Sequence, residues 1–359
     1  MLSTLRSCFH SQRVNLTQQS ETYIARGFSV ILMVITHVYE SFSSYNNHFA
    51  RIFYLDFCGG PYAAAVFMFC MGMNICYSRQ STPKAFLFRS CNLLCAGLFL
   101  SVYRDLLPAL LFCSKDPTFS FKNDLIPLLL HTFAEVDILQ FSGIFFMVFA
   151  IITKANFSLL QTNILAIILC ISGQFLRNIS TGNAYCDAFL GLFWAAHNRT
   201  WFPFFNWFIV PIAGYTFGSL WVYCFNKDAF YRIVTPIATI LTVGFFIISR
   251  GYQHLDYYYV LGIIEAVFAI LTALSVIGLS YFVSQYMKRV ALNLCWLGKM
   301  VTPIYLIHWA LISSISPLVF LITGKADLTI PDVWIAPIGI IILLASSVLI
   351  KAYNSTISK

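Results

Sequence analysis

About ten apolar runs, each close to the ~20 residues an α-helix needs to cross a hydrocarbon core, fill this chain almost end to end. In lipid, every backbone N–H and C=O must be bonded within the structure, so such runs fold as helices. The approximate spans are 23–43, 58–78, 84–107, 136–153, 158–177, 204–224, 233–249, 258–284, 300–320 and 333–350, with a half-buried helix over 122–133. Charged residues make up 10% of the chain and apolar residues 59%, whereas a soluble domain carries about 25% charged residues. The expected fold is therefore all-α: a polytopic integral membrane protein with about ten transmembrane helices in one bundle. That bundle covers 23–351, between an N-terminal tail (1–22) and a C-terminal tail (352–359). Residues 1–22 lack the apolar core of a cleaved signal peptide, so the first helix is read as an uncleaved anchor. No internal repeat of the transporter type is visible.

Orientation follows from the basic residues. With the N-terminus in the cytoplasm, fourteen of the 22 Lys and Arg fall on the inner side, among them Arg26, Arg79, Lys84 and Arg89. All carboxylates except Glu21 and Asp228 fall in the outer half. Both termini are thus expected in the cytoplasm. A cationic inner mouth suits an anionic cytosolic ligand, and an acidic, aromatic outer mouth suits a polar acceptor such as a sugar. The net charge of +8 is scattered at segment ends rather than gathered in runs, so the expected surroundings are membrane lipid and not nucleic acid.

The first apolar run holds the pair that points to chemistry. Arg26 and His37 in RGFSVILMVITH are eleven residues apart, three helical turns plus about 20°, so they share a face. Helix rise separates them by roughly 16 Å, which puts Arg26 near one membrane surface and His37 deep inside. Ionisable groups within a bilayer are costly and mark working sites. An imidazole titrates near physiological pH and is suited to general-base work. Glu40 lies one turn beyond His37, placed either to orient the imidazole or to meet an acceptor. His308 in PIYLIHW, Asp137 and Gln140 in VDILQF, and Glu265 are further polar groups within apolar segments. Gly214 and Gly218 form a GxxxG that reads as close helix packing.

The eleven cysteines form no CxxC pair and no metal-ligand cluster with His, so no metal is expected. Walker, GxGxxG, HExxH and GxSxG motifs are absent, which disfavours nucleotide use, zinc chemistry and a serine triad.

The Arg26…His37 spacing resembles the R-x10-H signature of the type-3 membrane acyltransferases. A longer resemblance is to the heparan-α-glucosaminide N-acetyltransferase-like membrane proteins. It is carried in order by RGFSVILMVITHVYE, VFMFCMGMNICYSRQSTPKAFLFR, VDILQFSGIFFMVFA, FPFFNWFIVPIAGYTFG and LGKMVTPIYLIHW, reaching from residue 26 to about 310. The resemblance implies a membrane-embedded acyltransferase that moves an acetyl group from cytosolic acetyl-CoA to an acceptor on the far side. His37 would be the catalytic base, with Glu40 beside it. His48 is a rival base, because the heparan-type enzymes carry their acting histidine just before the FMFCMGM-like helix. The residues around His48 depart from the family pattern. Arg26, Arg79 and Arg89 would hold the CoA phosphates, His308 would line the acyl channel or hold a helix contact, and Asp137 and Gln140 would meet the acceptor. The family's paired arginines near Arg89 are only partly matched.

The acceptor implied is a glycan or lipid-linked glycan. O-acetylation of a bacterial surface polysaccharide such as lipopolysaccharide O-antigen, in the inner membrane, is the first expectation. N-acetylation of glucosamine residues is the alternative within the class, and a proton-coupled transporter the alternative outside it. The sequence leaves the oligomeric state open.

Overall fold

A computed structural model describes residues 2–78, 81–115, 118–195, 200–249, 260–325 and 328–357. Its principal helices are α1 (Ser20–Phe42), α2 (His48–Ile75), α3 (Pro83–Cys113), α4 (Phe121–Phe133), α5 (Ile138–Lys154), α6 (Leu159–Leu176), α7 (Ile209–Trp221), α8 (Lys227–Ile248), α9 (Ile263–Tyr286), α10 (Lys288–Lys299), α11 (Val301–Thr323) and α12 (Asp332–Thr356). Among the described residues, strand-type pairing is limited to two isolated bridges, Phe9 with Cys224 and Val136 with Thr200. The all-α polytopic expectation holds.

Among the described residues the number of spans is about eight rather than ten. By length and apolarity, α1, α2, α3, α6, α8, α9, α11 and α12 qualify. The run expected over 136–153 folds as α5, whose 17 residues rise about 26 Å, short of a ~30 Å core. Asp137 fixes its start by accepting the backbone N–H of Ile138 at 2.6 Å. The run expected over 204–224 breaks at Phe208 into a single turn, Phe204–Trp207, and α7. Both pieces bury Phe and Trp inside the bundle, where Phe141, Phe145, Phe208, Trp207 and Trp221 have no measurable exposure.

α1 is the central helix. It packs against α2, α9, α10, α11 and α12. It begins at Ser20, so Arg26 lies about 9 Å inside its N-terminal end and not at the rim. His37 lies five residues from the C-terminal end. The polar segment before α1 is docked on the turn after α7. The N–H of His10 donates to the Tyr223 carbonyl at 2.9 Å, that of Val14 to Val222 at 2.8 Å, and the Asn15 amide to Trp221 at 2.9 Å. Glu265 sits in the first turn of α9, not deep in a span, because that helix starts only after Gly262.

Two wide, π-type stretches interrupt α2 and α3. Ile52–Ala65 in α2 contains Pro61 and is held by α1 hydroxyls: Thr36 donates to the Tyr54 carbonyl at 2.9 Å and Ser29 to that of Tyr62 at 2.6 Å. Irregular backbone is tolerated at such depth only when protein groups satisfy it. Val102–Leu106 in α3 is the second. Such insertions re-aim side chains and frequently mark functional sites.

Between α2 and α7 the backbones touch. A Cβ on Gly72 would stand 1.7 Å from the Pro211 carbonyl oxygen, and one on Gly214 1.9 Å from that of Phe69. Gly214→Ala is therefore expected to destabilise the protein by about 3 kcal/mol, the upper end of ordinary overpacking. The sign is diagnostic, because Ala favours a helix by about 1 kcal/mol over Gly. Thermal unfolding of the detergent-solubilised protein checks it; an unchanged or raised melting temperature would show that the two helices separate freely.

Candidate active site

His37 opens into a cavity of about 1090 Å³ at the C-terminal end of α1. Its wall includes Met33, Glu40 and Tyr45 from α1 and the loop after it, and Leu55, Gly59, Ala63 and Phe67 from the wide part of α2 and its continuation. Arg104 and Asp105 enter from α3, Glu135 and Asp137 from the start of α5, and Tyr305 and Trp309 from α11. Trp201 closes another side.

The two histidines expected to do different jobs are bonded to each other. His37 Nδ1 stands 2.7 Å from His308 Nε2, and the rings are tilted by only 10°. His308 Nδ1 stands 2.7 Å from the Ile304 carbonyl one turn earlier. The Trp309 ring lies against His37 with centroids 4.3 Å apart. The other nitrogen of His37, Nε2, faces Glu40 at 3.9 Å. Glu40 lies on the cavity wall. Tyr45, in the loop after α1, donates its hydroxyl to the Glu40 carbonyl at 2.9 Å. Burial, reinforced by Glu40, pushes the Tyr45 phenol up to about 12, so it remains a donor at neutral pH.

Beside the histidines sits a cluster built on Arg104. Its Nη1 donates to Asp137 Oδ2 at 2.7 Å and its Nε to Asp105 Oδ1 at 2.9 Å, while Nη2 lies 3.6 Å from Glu135 Oε1. Adjacent residues on a regular helix diverge by about 100°; the π-type turn at Val102–Leu106 accompanies the bond between Arg104 and its neighbour Asp105. Tyr305 donates its hydroxyl to Asp137 Oδ2 at 2.6 Å. Trp201 Nε1 donates to Glu135 Oε1 at 3.1 Å. Burial raises the Glu135 carboxyl above the usual carboxylate range, and the Arg104 charge opposes that rise. The guanidinium lies 4.7 Å over the Trp309 ring, which also packs against His37 and, at 5.6 Å, His308. One indole thus links the imidazole to the ion cluster.

The remaining expected site residues lie elsewhere. Gln140, one turn beyond Asp137, packs against α3, where its carboxamide donates to Ser101 Oγ at 3.4 Å and fits beside Gly97. It is absent from the cavity wall. His48 is exposed at the start of α2 against Phe49, also away from that wall. His308 meets His37 near the C-terminal end of α1 and not at the opposite end. Arg26 lies toward that opposite end, with its guanidinium 4.9 Å over the Tyr23 ring and its Nε buried without a hydrogen-bond partner among the described residues. Lys299 Nζ approaches the same Tyr23 ring at 5.3 Å. Arg89 donates to Ser78 Oγ at 3.0 Å and rests between Phe86 and Phe146. Arg79 is outside the described residues. No group of three or more His, Cys, Asp and Glu able to hold a metal occurs among the described residues.

The sequence reading missed Arg104, Asp105, Glu135, Tyr305, Trp309 and Lys299. An adjacent Arg-Asp pair inside the apolar run 83–113 was the available signal, since an intramembrane ion pair is a working-site hypothesis by default.

A model of the heparan-alpha-glucosaminide N-acetyltransferase catalytic domain matches residues 21–260. The chain belongs to this family. Of the two resemblances drawn above, the match supports the heparan-type one and does not extend to the type-3 acyltransferases. No curated protein matches the chain, and no solved structure does. The matched range contains Arg26, His37, Arg104, Glu135 and Asp137; Tyr305, His308 and Trp309 lie beyond it. The coarse assignment is an acetyltransferase-like membrane protein of this family.

Proposed function

We propose that this family member transfers an acetyl group from acetyl-CoA to the amino group of a glucosamine residue seated in the His37 cavity. The observation that carries the reading is a free imidazole nitrogen opening into a large cavity walled by carboxylates and tryptophans. The family name points to an amine acceptor, which replaces the hydroxyl of a bacterial polysaccharide expected first. An amine arrives largely as ammonium, so the carboxylates of Glu40, Asp105, Glu135 and Asp137 suit its approach, and Trp201 offers an apolar face to a sugar ring. The volume is at the top of the ~300–1,000 Å³ usual for small-molecule pockets, enough for a sugar and an acetyl-pantetheine end together.

The ammonium first gives up one proton to bulk water; the free amine then attacks the thioester carbon, and His37 Nε2 takes a second proton from that nitrogen as the N–C bond forms. The C–S bond breaks, and the sulfur leaves with its electron pair and receives a proton. The donor enters from the Arg26 end, where Arg26 and Lys299 flank Tyr23 and suit CoA phosphates. By the distribution of basic residues, that end faces the cytoplasm together with both termini.

The test uses purified protein in nanodiscs with acetyl-CoA and glucosamine. Thiol release that depends on acceptor, with acetylated amine found by mass spectrometry, is the expected result. Thiol release that is absent, or unchanged when glucosamine is omitted, would overturn the reading and favour a transporter of the same architecture.

A further inference from the structure

We propose that His308 is the positioning residue for His37, fixing the tautomer that leaves His37 Nε2 bare. The inference rests on the reading of His37 as the base and adds a residue from outside the family match, since His308 lies beyond 21–260.

The argument is one of donors and acceptors. A carbonyl oxygen only accepts, so the 2.7 Å contact of His308 Nδ1 with the Ile304 carbonyl places a hydrogen on that nitrogen. A neutral imidazole carries one N–H, so His308 Nε2 has a lone pair. The 2.7 Å contact to His37 Nδ1 then requires a hydrogen on His37 Nδ1. His37 Nε2 is left with its lone pair, on the side of Glu40 and the cavity. His308 itself has no measurable exposure, so no water competes for its role. Trp309, against one face of the His37 ring, and Tyr305, edge-on at 6.0 Å, restrict ring rotation. The order carbonyl, imidazole, imidazole, acceptor is a chain in which each group sets the protonation of the next.

During transfer the hydrogen of the acceptor nitrogen moves to His37 Nε2. The imidazolium so formed holds its second hydrogen, on Nδ1, against His308 Nε2, a charge-assisted bond stronger than the neutral one. The same Nε2 hydrogen then goes to the departing sulfur, which restores the starting tautomer. With apolar packing in place of His308, the His37 ring would have no acceptor for Nδ1–H and would populate the tautomer whose Nε2 cannot take a proton.

The test compares His308→Gln with His308→Leu, with His37→Ala as reference. A Gln carbonyl oxygen can take the place of His308 Nε2 as acceptor; Leu cannot. The expected result is kcat within about tenfold of wild type for His308→Gln and a loss of about 100-fold for His308→Leu, at the low end of what a general base contributes, with KM for acetyl-CoA and glucosamine unchanged in both. Wild-type kcat in His308→Leu, alongside an inactive His37→Ala, would overturn the proposal and leave the base reading standing. Full activity in His37→Ala would remove both. If His308→Leu does not fold, ring ¹⁵N spectra of ¹⁵N-histidine-labelled wild type decide, with the His37 signals assigned by their loss in His37→Ala. A hydrogen on Nδ1 and a bare Nε2 supports the proposal, and a hydrogen on Nε2 overturns it.

Discussion

Replacing His37 with alanine is expected to lower kcat for acetyl transfer by about 10²–10⁴-fold, the span a positioned general base supplies. The fold should survive. The side chain is 16% exposed and borders an open cavity, so its removal enlarges a space that already exists. It does leave His308 Nε2 without its donor. A lone buried acceptor costs about 1–3 kcal/mol, which sets the size of the accompanying fall in thermal stability. The two effects separate in one experiment: size-exclusion profile and melting temperature report the fold, and acceptor-dependent thiol release reports the chemistry. A folded His37→Ala protein with wild-type turnover would show that the acceptor loses its proton elsewhere. His37→Gln is the useful companion, since it can donate to His308 but offers a much weaker base to the cavity.

The second large effect is expected at Arg104. Its side chain is 8% exposed and stands among Asp105, Glu135 and Asp137. Arg104→Met retains the apolar contact with Trp309 but leaves three carboxylates facing one another. Breaking a buried ion pair by removing one partner costs about 3–5 kcal/mol, so a large drop in melting temperature, or failure to accumulate in the membrane, is expected. The deficit depends on the carboxylates being ionised. It is therefore largest at neutral pH and shrinks as pH falls through the carboxylate range and the like charges are neutralised. Arg104→Lys restores a charge but not the planar fork that reaches several carboxylates at once, and an intermediate stability is expected. Equal melting temperatures for wild type and Arg104→Met across this pH range would mean that the cluster is solvated and contributes nothing to holding α3, α5 and α11 together.

These two residues differ in how far the sequence revealed them. His37 announced itself because the rule that exposed it is local. An ionisable group in an apolar run stands out, and the 3.6-residue period alone places it on the face of Arg26. Arg104 was counted with the charges at the ends of spans, because a window average cannot distinguish a charge at a helix end from one within a wide turn. Asp137 and Gln140 read as equal candidates three residues apart. The fold separates them, because Asp137 caps α5 at the cavity while Gln140 faces α3. His48 and His37 are the same residue type on consecutive helices; only packing puts one inside the cavity and leaves the other exposed. The span count erred by two where an apolar run was long enough in residues but ended early at a cap or broke between prolines.

Hydropathy by itself determined that this chain is a bundle of membrane helices, since each residue's preference for lipid adds along the run with no reference to distant parts. The helical period likewise placed an imidazole and a guanidinium, His37 and Arg26, on one stripe of the first helix. What only the tertiary structure decided is which nitrogen of that imidazole is bonded within the bundle, because its partner arrives from 271 residues away. A hydrogen bond is formed between particular atoms at a particular distance and leaves no periodic trace in the order of the amino acids.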